Sequence, residues 1–214
     1  MPEIDPELWI LVHGNDREEI ALDAATPEFI LEFLAEDEAE DQDSCVRWRL
    51  AENPSTPAPT LQKLAEDVWN LRQVVAANPN TPAATLRNLA EDEHPMVRQA
   101  VAANPNTPAP TLRKLAVDEL WSARRAVAAN SNTPIHILRK LAEDVAWAVR
   151  RGVVQNPKTP ISTLETLAED RSWEVRWDVA KNPKTPISTL ETLAEDEGRV
   201  RQAAEDALRE RQDG

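Results

Sequence analysis

The chain has 214 residues, including seventeen prolines, four glycines and one cysteine, and it carries a formal net charge of −14. The single cysteine, Cys45, excludes an internal disulfide, and no apolar run approaches the roughly 20 residues that cross a bilayer. The N-terminus is acidic and lacks the basic flank of a secretion signal, so we expect a cytoplasmic protein without membrane contact.

The first 44 residues differ in charge from the rest of the chain. They hold fifteen acidic side chains and one basic side chain, whereas residues 45–214 hold 23 of each sign. Residues 1–25 are predicted to form a degenerate helical cap with apolar positions at Leu8, Ile10 and Leu11. The acidic stretch at 36–44 is interpreted as a solvated insertion; a calcium site is the alternative, although the ligand spacing of an EF-hand loop is absent.

From residue 26 to residue 196 the sequence repeats. The asparagine of an Asn-Pro-x-Thr-Pro motif recurs at intervals of 25, 26, 26, 26 and 26 residues. Its positions are Asn53, Asn78, Asn104, Asn130, Asn156 and Asn182, with serine in place of the first proline after Asn130. A fixed period of this size is typical of a solenoid, in which each repeat buries its apolar face only against its neighbours.

The first half of each repeat is predicted to form a helix. In one copy Val97, Ala100, Val101 and Asn104 are spaced at i, i+3, i+4 and i+7, which places them on one helical face. The Asn-Pro step ends this helix, because proline disfavours the helical conformation of the residue before it. We call this segment the first helix of a repeat.

A second, shorter helix follows in each repeat. Thr107 is predicted to cap it and Pro108 to occupy its first position, while Leu112 and Leu115 supply its apolar stripe. Neither helix exceeds about three turns, a length that is marginal in water without packing partners. The sequence therefore predicts an all-α solenoid of about seven short two-helix repeats.

These residues resemble the leucine-rich repeat variant family, whose units carry Val-Arg-x-Ala-Val-Ala-x-Asn-Pro-x-Thr-Pro followed by paired leucines. The resemblance runs from about Thr26 to the C-terminus. It implies a right-handed superhelix related to HEAT repeats, with the second helical segment short or 3₁₀. One family member carries an iron–sulfur cluster on several cysteines; this chain has Cys45 alone, so we expect no cofactor and no metal. Residues 197–214 are predicted to form a charged, exposed capping helix and tail.

Charged residues repeat in every copy. An arginine precedes each asparagine by six residues and an aspartate closes each second helix. The predicted ladder comprises Arg72, Arg98, Arg124, Arg150, Arg176, Asp67, Asp92, Asp118, Asp144 and Asp170. A binding or catalytic site needs its chemistry once, so residues repeated in every copy are expected to have a structural role. We expect each aspartate to cap the next helix and each arginine to bond a carboxylate across adjacent repeats. The asparagine amides are expected to bond carbonyls of the neighbouring repeat.

Tryptophans occupy two registers. Trp69, Trp121, Trp147 and Trp173 lie three residues before the ladder arginine, where we expect packing between repeats, with a row of half-exposed indoles as the alternative. The residue after the ladder arginine points away from the apolar stripe. This column is our candidate partner-binding surface on the concave side: Trp48, Gln73, Gln99, Arg125, Arg151 and Trp177.

A basic stripe is predicted on the second helices of the central repeats. It comprises Lys63, Arg87, Arg113, Lys114, Arg139 and Lys140. Such a stripe suits phosphates or an acidic protein, or it simply solvates an exposed face.

Catalytic signals are weak. His13, His94 and His136 lie in different registers, and there is no glycine-rich phosphate loop, so no catalytic residue is assigned. Analogy with HEAT-like DNA glycosylases leaves Asp178, beside Trp177 and with Arg151, as the remaining candidate. We expect a monomeric, non-enzymatic scaffold for an unidentified protein or peptide; the alternative is a glycosylase-like protein that binds nucleic acid through the basic positions.

Overall fold

A computed structural model describes residues 17–36 and 43–212. Within these ranges the chain forms fifteen α-helices and no strand. The prediction of an all-α repeat fold is confirmed. The residues of the N-terminal cap before Arg17, including Leu8, and most of the acidic insertion lie outside the described residues.

Each repeat contributes two helices. The first helices are α1 (Arg17–Leu22), α3 (Asp43–Glu52), α5 (Trp69–Ala77), α7 (Pro95–Ala103), α9 (Trp121–Ala129), α11 (Trp147–Gln155) and α13 (Trp173–Lys181). The second helices are α2 (Glu28–Glu36), α4 (Ala58–Leu64), α6 (Ala83–Leu89), α8 (Ala109–Leu115), α10 (Ile135–Leu141), α12 (Ile161–Ala168) and α14 (Ile187–Leu193). A final helix, α15, spans Gly198–Gln212.

The chain divides into two compact units, Met1–Pro108 and Ala109–Gly214. In unit one α1, α3, α5 and α7 pack in succession, and in unit two α9, α11, α13 and α15 do the same. Apolar residues of these helices are fully buried, such as Val75 and Val101 in unit one and Val127 and Val153 in unit two. Burying such a side chain stabilises the fold by about 1.5–3 kcal/mol, which compensates for helices too short to persist alone.

The turn between the two helices differs from the prediction. Pro57, Pro134 and their equivalents are the cap residues of the second helices, which begin one residue later, and no threonine side chain caps them. Instead the buried Thr107 donates from Oγ1 to the carbonyl of Val101 at 2.5 Å, and Thr56 donates to Leu50 at 2.6 Å. The threonine therefore closes the end of the first helix, because it gives a second donor to a carbonyl that otherwise accepts only from the N–H of the cap asparagine, at 3.1 Å for Val101 and 3.3 Å for Leu50.

The second helices are short α-helices of seven to nine residues within the described ranges, rather than 3₁₀ segments. Five of them bury a threonine and two leucines, such as Thr163, Leu164 and Leu167 in α12, whereas α2 and α10 bury Ile30 and Ile137 in place of the threonine. The helix α15 is also less exposed than predicted, because it buries Val200 and Ala204 while its charged residues face solvent.

The repeat asparagines form a ladder of amide hydrogen bonds. Asn156 Nδ2 donates to the carbonyls of Ala128 and Asn130 of the preceding repeat at 2.7 and 2.8 Å, and its Oδ1 accepts from the Lys158 N–H at 2.9 Å. In unit one Asn53, Asn78 and Asn104 donate to the preceding repeat in the same way. Each amide thus ties the end of its own first helix to the same position one repeat earlier.

Candidate functional site

The ladder arginines and aspartates pair between successive repeats within each unit. Arg150 donates from Nε and Nη2 to Asp170 Oδ2 and Oδ1 at 2.5 and 2.7 Å, and both side chains are 6% exposed. The corresponding forked pairs are Arg72–Asp92, Arg124–Asp144 and Arg176–Asp196. Arg47 only approaches Asp67, with Nε 3.1 Å from Oδ2 but without a hydrogen bond from Nε. The forked pairs fix geometry as well as charge, because both nitrogens of the planar guanidinium are aligned with both carboxylate oxygens.

The aspartates do not cap the next helix directly. Asp170 Oδ1 accepts from the backbone N–H of Ser172 at 2.8 Å, and Ser172 itself is the cap residue. Asp118 bonds the Leu120 N–H in the same way, and Arg98 donates to the Asp92 carbonyl at 2.9 Å. Burial raises the pKa of Asp170, but the hydrogen bonds from Arg150 and the Ser172 N–H outweigh it, so its pKa lies below the ordinary value.

The tryptophans at the start of the first helices are half-exposed. Trp69, Trp121, Trp147 and Trp173 are 43–47% exposed, so the indoles are half-exposed, as in the alternative interpretation. Packing between repeats is present as well, because Trp69 and Trp173 each contact a residue of the following repeat. In unit one the Trp69 ring stacks on His94 with 3.7 Å between ring centroids. In unit two the Arg151 guanidinium lies 5.6 Å from the Trp147 centroid, an attractive cation–π distance.

The predicted partner-binding column is distributed over both units. Trp48, Gln73 and Gln99 lie in unit one, where all three are half-buried and Trp48 Nε1 donates to Glu52 at 2.9 Å. Arg125 is exposed in α9, while Arg151 and Trp177 are half-buried in α11 and α13. Each unit therefore presents its own part of the column.

Unit two contains a polar cluster that the other repeats do not reproduce. Asp178 is 8% exposed and occupies a register that holds Ala126 and Gly152 in the two preceding repeats. Its carboxylate accepts from Arg151 Nε at 2.8 Å, from Arg151 Nη2 at 3.1 Å and from Gln155 Nε2 at 3.0 Å. The sequence therefore places a buried, fully bonded carboxylate directly beside Trp177.

A cleft of about 410 Å³ opens beside this cluster, between α13 and α15. Its apolar lining comes from Trp177, Ala203 and Ala207, and its cationic lining from Lys181 and Arg199. A smaller cavity of about 100 Å³ adjoins it, lined by Arg151, Trp173, Glu174, Trp177 and Arg199. We call the larger cavity the unit-two cleft.

The two cations of the unit-two cleft lie on indole faces. Lys181 Nζ is 4.5 Å from the Trp177 ring centroid, and the Arg199 guanidinium is 5.9 Å from that of Trp173. Neither cation forms an ion pair with another residue that the structure describes. Both charges are therefore held near the cleft by aromatic contacts and stay open to an anion from outside.

The predicted basic stripe is exposed. Its side chains project from α4 and α6 in unit one and from α8 and α10 in unit two: Lys63, Arg87, Arg113, Lys114, Arg139 and Lys140. Arg87 bonds the Ala83 carbonyl of its own helix at 3.1 Å. The stripe is on the second helices and does not line the unit-two cleft.

Two family models match the chain, "Leucine Rich Repeat Variant domain" over residues 47–103 and "Leucine rich repeat variant" over residues 95–120. The matched residues cover the motif from which the resemblance was inferred. Residues 47–120 therefore match leucine-rich repeat variant repeats.

The comparison with solved structures supports the same fold. A structure described as "a leucine-rich repeat variant with a novel repetitive protein structural motif" is 23% identical, covers 95% of this chain and 85% of its own length, and has a TM-score of 0.62. An engineered protein covers 97% of this chain and 92% of its own at 15% identity, but its TM-score of 0.31 is too low to indicate a shared fold. No curated protein matches the sequence.

Two residues of the cleft, Lys181 and Arg199, were not predicted as part of a site. The other repeats of unit two have alanine or glutamine in the register of Lys181, and serine, alanine or glutamate in that of Arg199. This departure from the repeat was the available signal. Across the described ranges no cluster of histidine, cysteine, aspartate and glutamate could hold a metal ion. Within those ranges, too, the helices are too short or too polar to span a bilayer.

Proposed function

We propose that this leucine-rich repeat variant array is a non-enzymatic scaffold that binds a protein or peptide through its first-helix surface, with the unit-two cleft as the main contact. The observation that supports this most is the group of residues that vary between repeats: Trp177, Lys181 and Arg199 line the cleft, and Arg151 lines the adjoining small cavity. Residues repeated in every copy hold the fold, whereas residues that vary between copies are available for recognition. Tryptophan and arginine are also the side chains most enriched at interface hot spots.

Of the candidate partner-binding column, we retain the part in unit two, which contains Arg151 and Trp177. Trp177 is half-buried, so part of its ring is already desolvated and its contact with a partner costs little side-chain ordering. Arg151 is held by Asp178 and so forms part of a rigid wall rather than a mobile arm. We propose the cytoplasm as the setting, where the exposed Cys45 stays reduced.

The arrangement of Asp178 argues against the glycosylase-like alternative. A carboxylate acting on a substrate must present a free oxygen to it, whereas both oxygens of Asp178 accept hydrogen bonds from Arg151 and one also accepts from Gln155. The basic stripe remains the feature through which a nucleic-acid-binding protein of this fold would act, since phosphate contacts need exposed lysine and arginine.

Quantitative affinity capture from a cell extract tests the proposal. The wild-type chain is compared with Trp177→Ala and with the matched control Ile161→Ala, which removes an apolar side chain that is 52% exposed on the second helix α12. We expect a protein set that is retained at 0.5 M salt and lost with Trp177→Ala alone. Retention of duplex DNA that collapses with rising salt, with no protein dependent on Trp177, would support the nucleic-acid alternative instead.

A further inference from the structure

We propose that the unit-two cleft binds a short acidic peptide segment of a partner protein, in which a carboxylate side chain stands next to an apolar one. The inference rests on the proposed function, because it names the class of partner for the same cleft. Four observations carry it: the two cations of the lining, the apolar floor, the position of the cations on the indoles, and the volume.

The two cations of the lining favour an anion. Asp206 lines the cleft but already accepts from Gln202 Nε2 at 2.9 Å and pairs with Arg209 Nη2 at 3.0 Å. Among the residues described, this leaves Lys181 and Arg199 opposed by a single lining carboxylate without an ion pair, Glu210. The lining is formally neutral, because Asp206 and Glu210 match Lys181 and Arg199 in number. Asp206 is nevertheless bonded to Gln202 and Arg209, whereas the two cations have no ion pair among the described residues and so can bind an incoming carboxylate.

The neighbouring carboxylates cannot neutralise these cations instead. Asp178 is occupied by Arg151 and Gln155. Glu174 borders the adjoining small cavity, where it accepts a hydrogen bond from Ser172 Oγ at 2.6 Å and lies near Arg151. The hydrogen bond lowers the pKa of Glu174, so that carboxylate stays ionised and bonded on its own side of the cluster.

The floor of the cleft determines what accompanies the carboxylate. The Trp177 ring, Ala203 and Ala207 form an apolar surface that an aliphatic or proline side chain would cover. Lys181 lies directly over that ring at 4.5 Å, so an anion that reaches the lysine is within a few ångströms of the apolar surface. Charge and apolar contact must therefore come from adjacent residues of the ligand.

The volume limits the size of the occupant. A cleft of about 410 Å³ falls in the range of roughly 300–1,000 Å³ that accommodates small ligands, which corresponds to a few side chains of an extended peptide rather than a folded surface. A carboxylate bound by a lysine and an arginine makes charge-assisted hydrogen bonds, which are about twice as strong as neutral ones. A basic peptide would instead face two like charges.

Selection from a phage library of random dodecapeptides tests the inference with the full chain. Peptides are retained only if they bind wild type and fail to bind Trp177→Ala. We expect them to be enriched in aspartate or glutamate next to leucine or proline. In fluorescence anisotropy, Lys181→Gln and Arg199→Gln should each weaken the most enriched peptide about tenfold, whereas the control Lys140→Gln on the basic stripe should not change it. Replacing its carboxylates by amides should produce a loss of the same size.

Three results would overturn the inference. Enriched peptides without acidic residues, or no peptide that depends on Trp177, would exclude an acidic segment as the occupant. A synthetic peptide of residues 2–13 that binds with the same dependence on Lys181 and Arg199 would assign the cleft to this chain's own acidic N-terminus rather than to a partner. If protein capture still depends on Trp177 in any of these cases, the scaffold function stands and only the ligand class is wrong.

Discussion

Arg151 holds the carboxylate of Asp178 in a fork, with Nε–Oδ2 and Nη2–Oδ1 distances of 2.8 and 3.1 Å. The two residues come from adjacent first helices of unit two, and Asp178 stands where the preceding repeats have alanine or glycine. The arginine side chain is 29% exposed and the aspartate side chain 8%. If one partner is removed, water can therefore hydrate the remaining arginine better than the remaining aspartate. This asymmetry has a measurable consequence.

Arg151→Ala should destabilise unit two more than Asp178→Ala. Removing the arginine leaves a buried negative charge, which costs about 3 kcal/mol or more, whereas removing the aspartate returns the register to a small apolar residue and leaves the arginine partly hydrated. Urea unfolding followed by circular dichroism measures both losses. The double variant should be more stable than Arg151→Ala, and equal losses from the two single variants would contradict this account.

Asn156→Ala should destabilise the fold by about 2–3 kcal/mol, because two buried carbonyls lose their donor and the Lys158 N–H loses its acceptor. The matched control is Asn106→Ala, which removes an exposed amide with one bond to the Pro79 carbonyl. We expect the control to lose less than about 1 kcal/mol. Denaturant midpoints that are the same for both variants would show that the ladder contributes nothing beyond an ordinary surface amide.

The ladder aspartates should make stability fall in acid. Hydrogen bonds from their arginines and from backbone N–H groups outweigh burial and lower the pKa of Asp92, Asp144 and Asp170 below the ordinary value of 3.8. Each therefore contributes stability that is complete above its unfolded pKa and is lost as the pH falls below 3.8 through the folded pKa. Urea midpoints at pH 7 and pH 3 measure the loss, which should shrink in an Arg150→Met, Asp170→Leu double variant. An unchanged loss in that variant would exclude this pair as a source.

Gly152→Ala should destabilise the fold, although in a helix interior alanine is ordinarily more stable than glycine by about 1 kcal/mol. A Cβ at Gly152 would lie 3.0 Å from both the Ala128 Cβ and the Arg125 carbonyl oxygen, and the latter belongs to the backbone of the neighbouring helix. We expect a net loss of about 1–2 kcal/mol, the usual cost of overpacking. A rise in melting temperature would show that α9 and α11 can separate without cost.

Arg211→Ala should loosen the end of unit two without unfolding it. Arg211 donates to the carbonyls of Thr185 and Pro183, in the turn that follows α13. Hydrogen exchange at Val200 and Ala204 should become faster by about tenfold, while exchange in α11 should stay the same. Arg209→Ala is the control, because Arg209 is exposed and pairs only within α15 among the residues described.

The sequence predicted the repeat helices and the asparagine ladder because the repeat length fixes which residues of adjacent repeats become neighbours. A side chain lies near its equivalent about 26 residues away. The same spacing places Arg151 beside Asp178, 27 residues later. The role of Thr107 could not be inferred, since a hydroxyl at that position is equally close to the helix before it and the helix after it. Which of the two it bonds depends on the turn geometry, and not on spacing.

The exposure of Trp173 and the unit-two cleft could not be predicted for a different reason. A helical wheel gives the direction of a side chain but not how far the neighbouring repeat extends over it. The cleft is bounded by α15, whose sequence departs from the repeat, so the period says nothing about where Arg199 lies. The recognition chemistry is therefore located where the regular pattern ends.

The amide ladder also gives the array a direction. Each asparagine donates to the repeat before it, so within a unit the carbonyls of one turn gain this amide donor only after the following repeat has been made. On the ribosome, a newly emerged turn would remain hydrated until about 26 more residues had followed it. During synthesis the carbonyls of each repeat should consequently become protected from water in order along the chain, one repeat behind the repeat being synthesised.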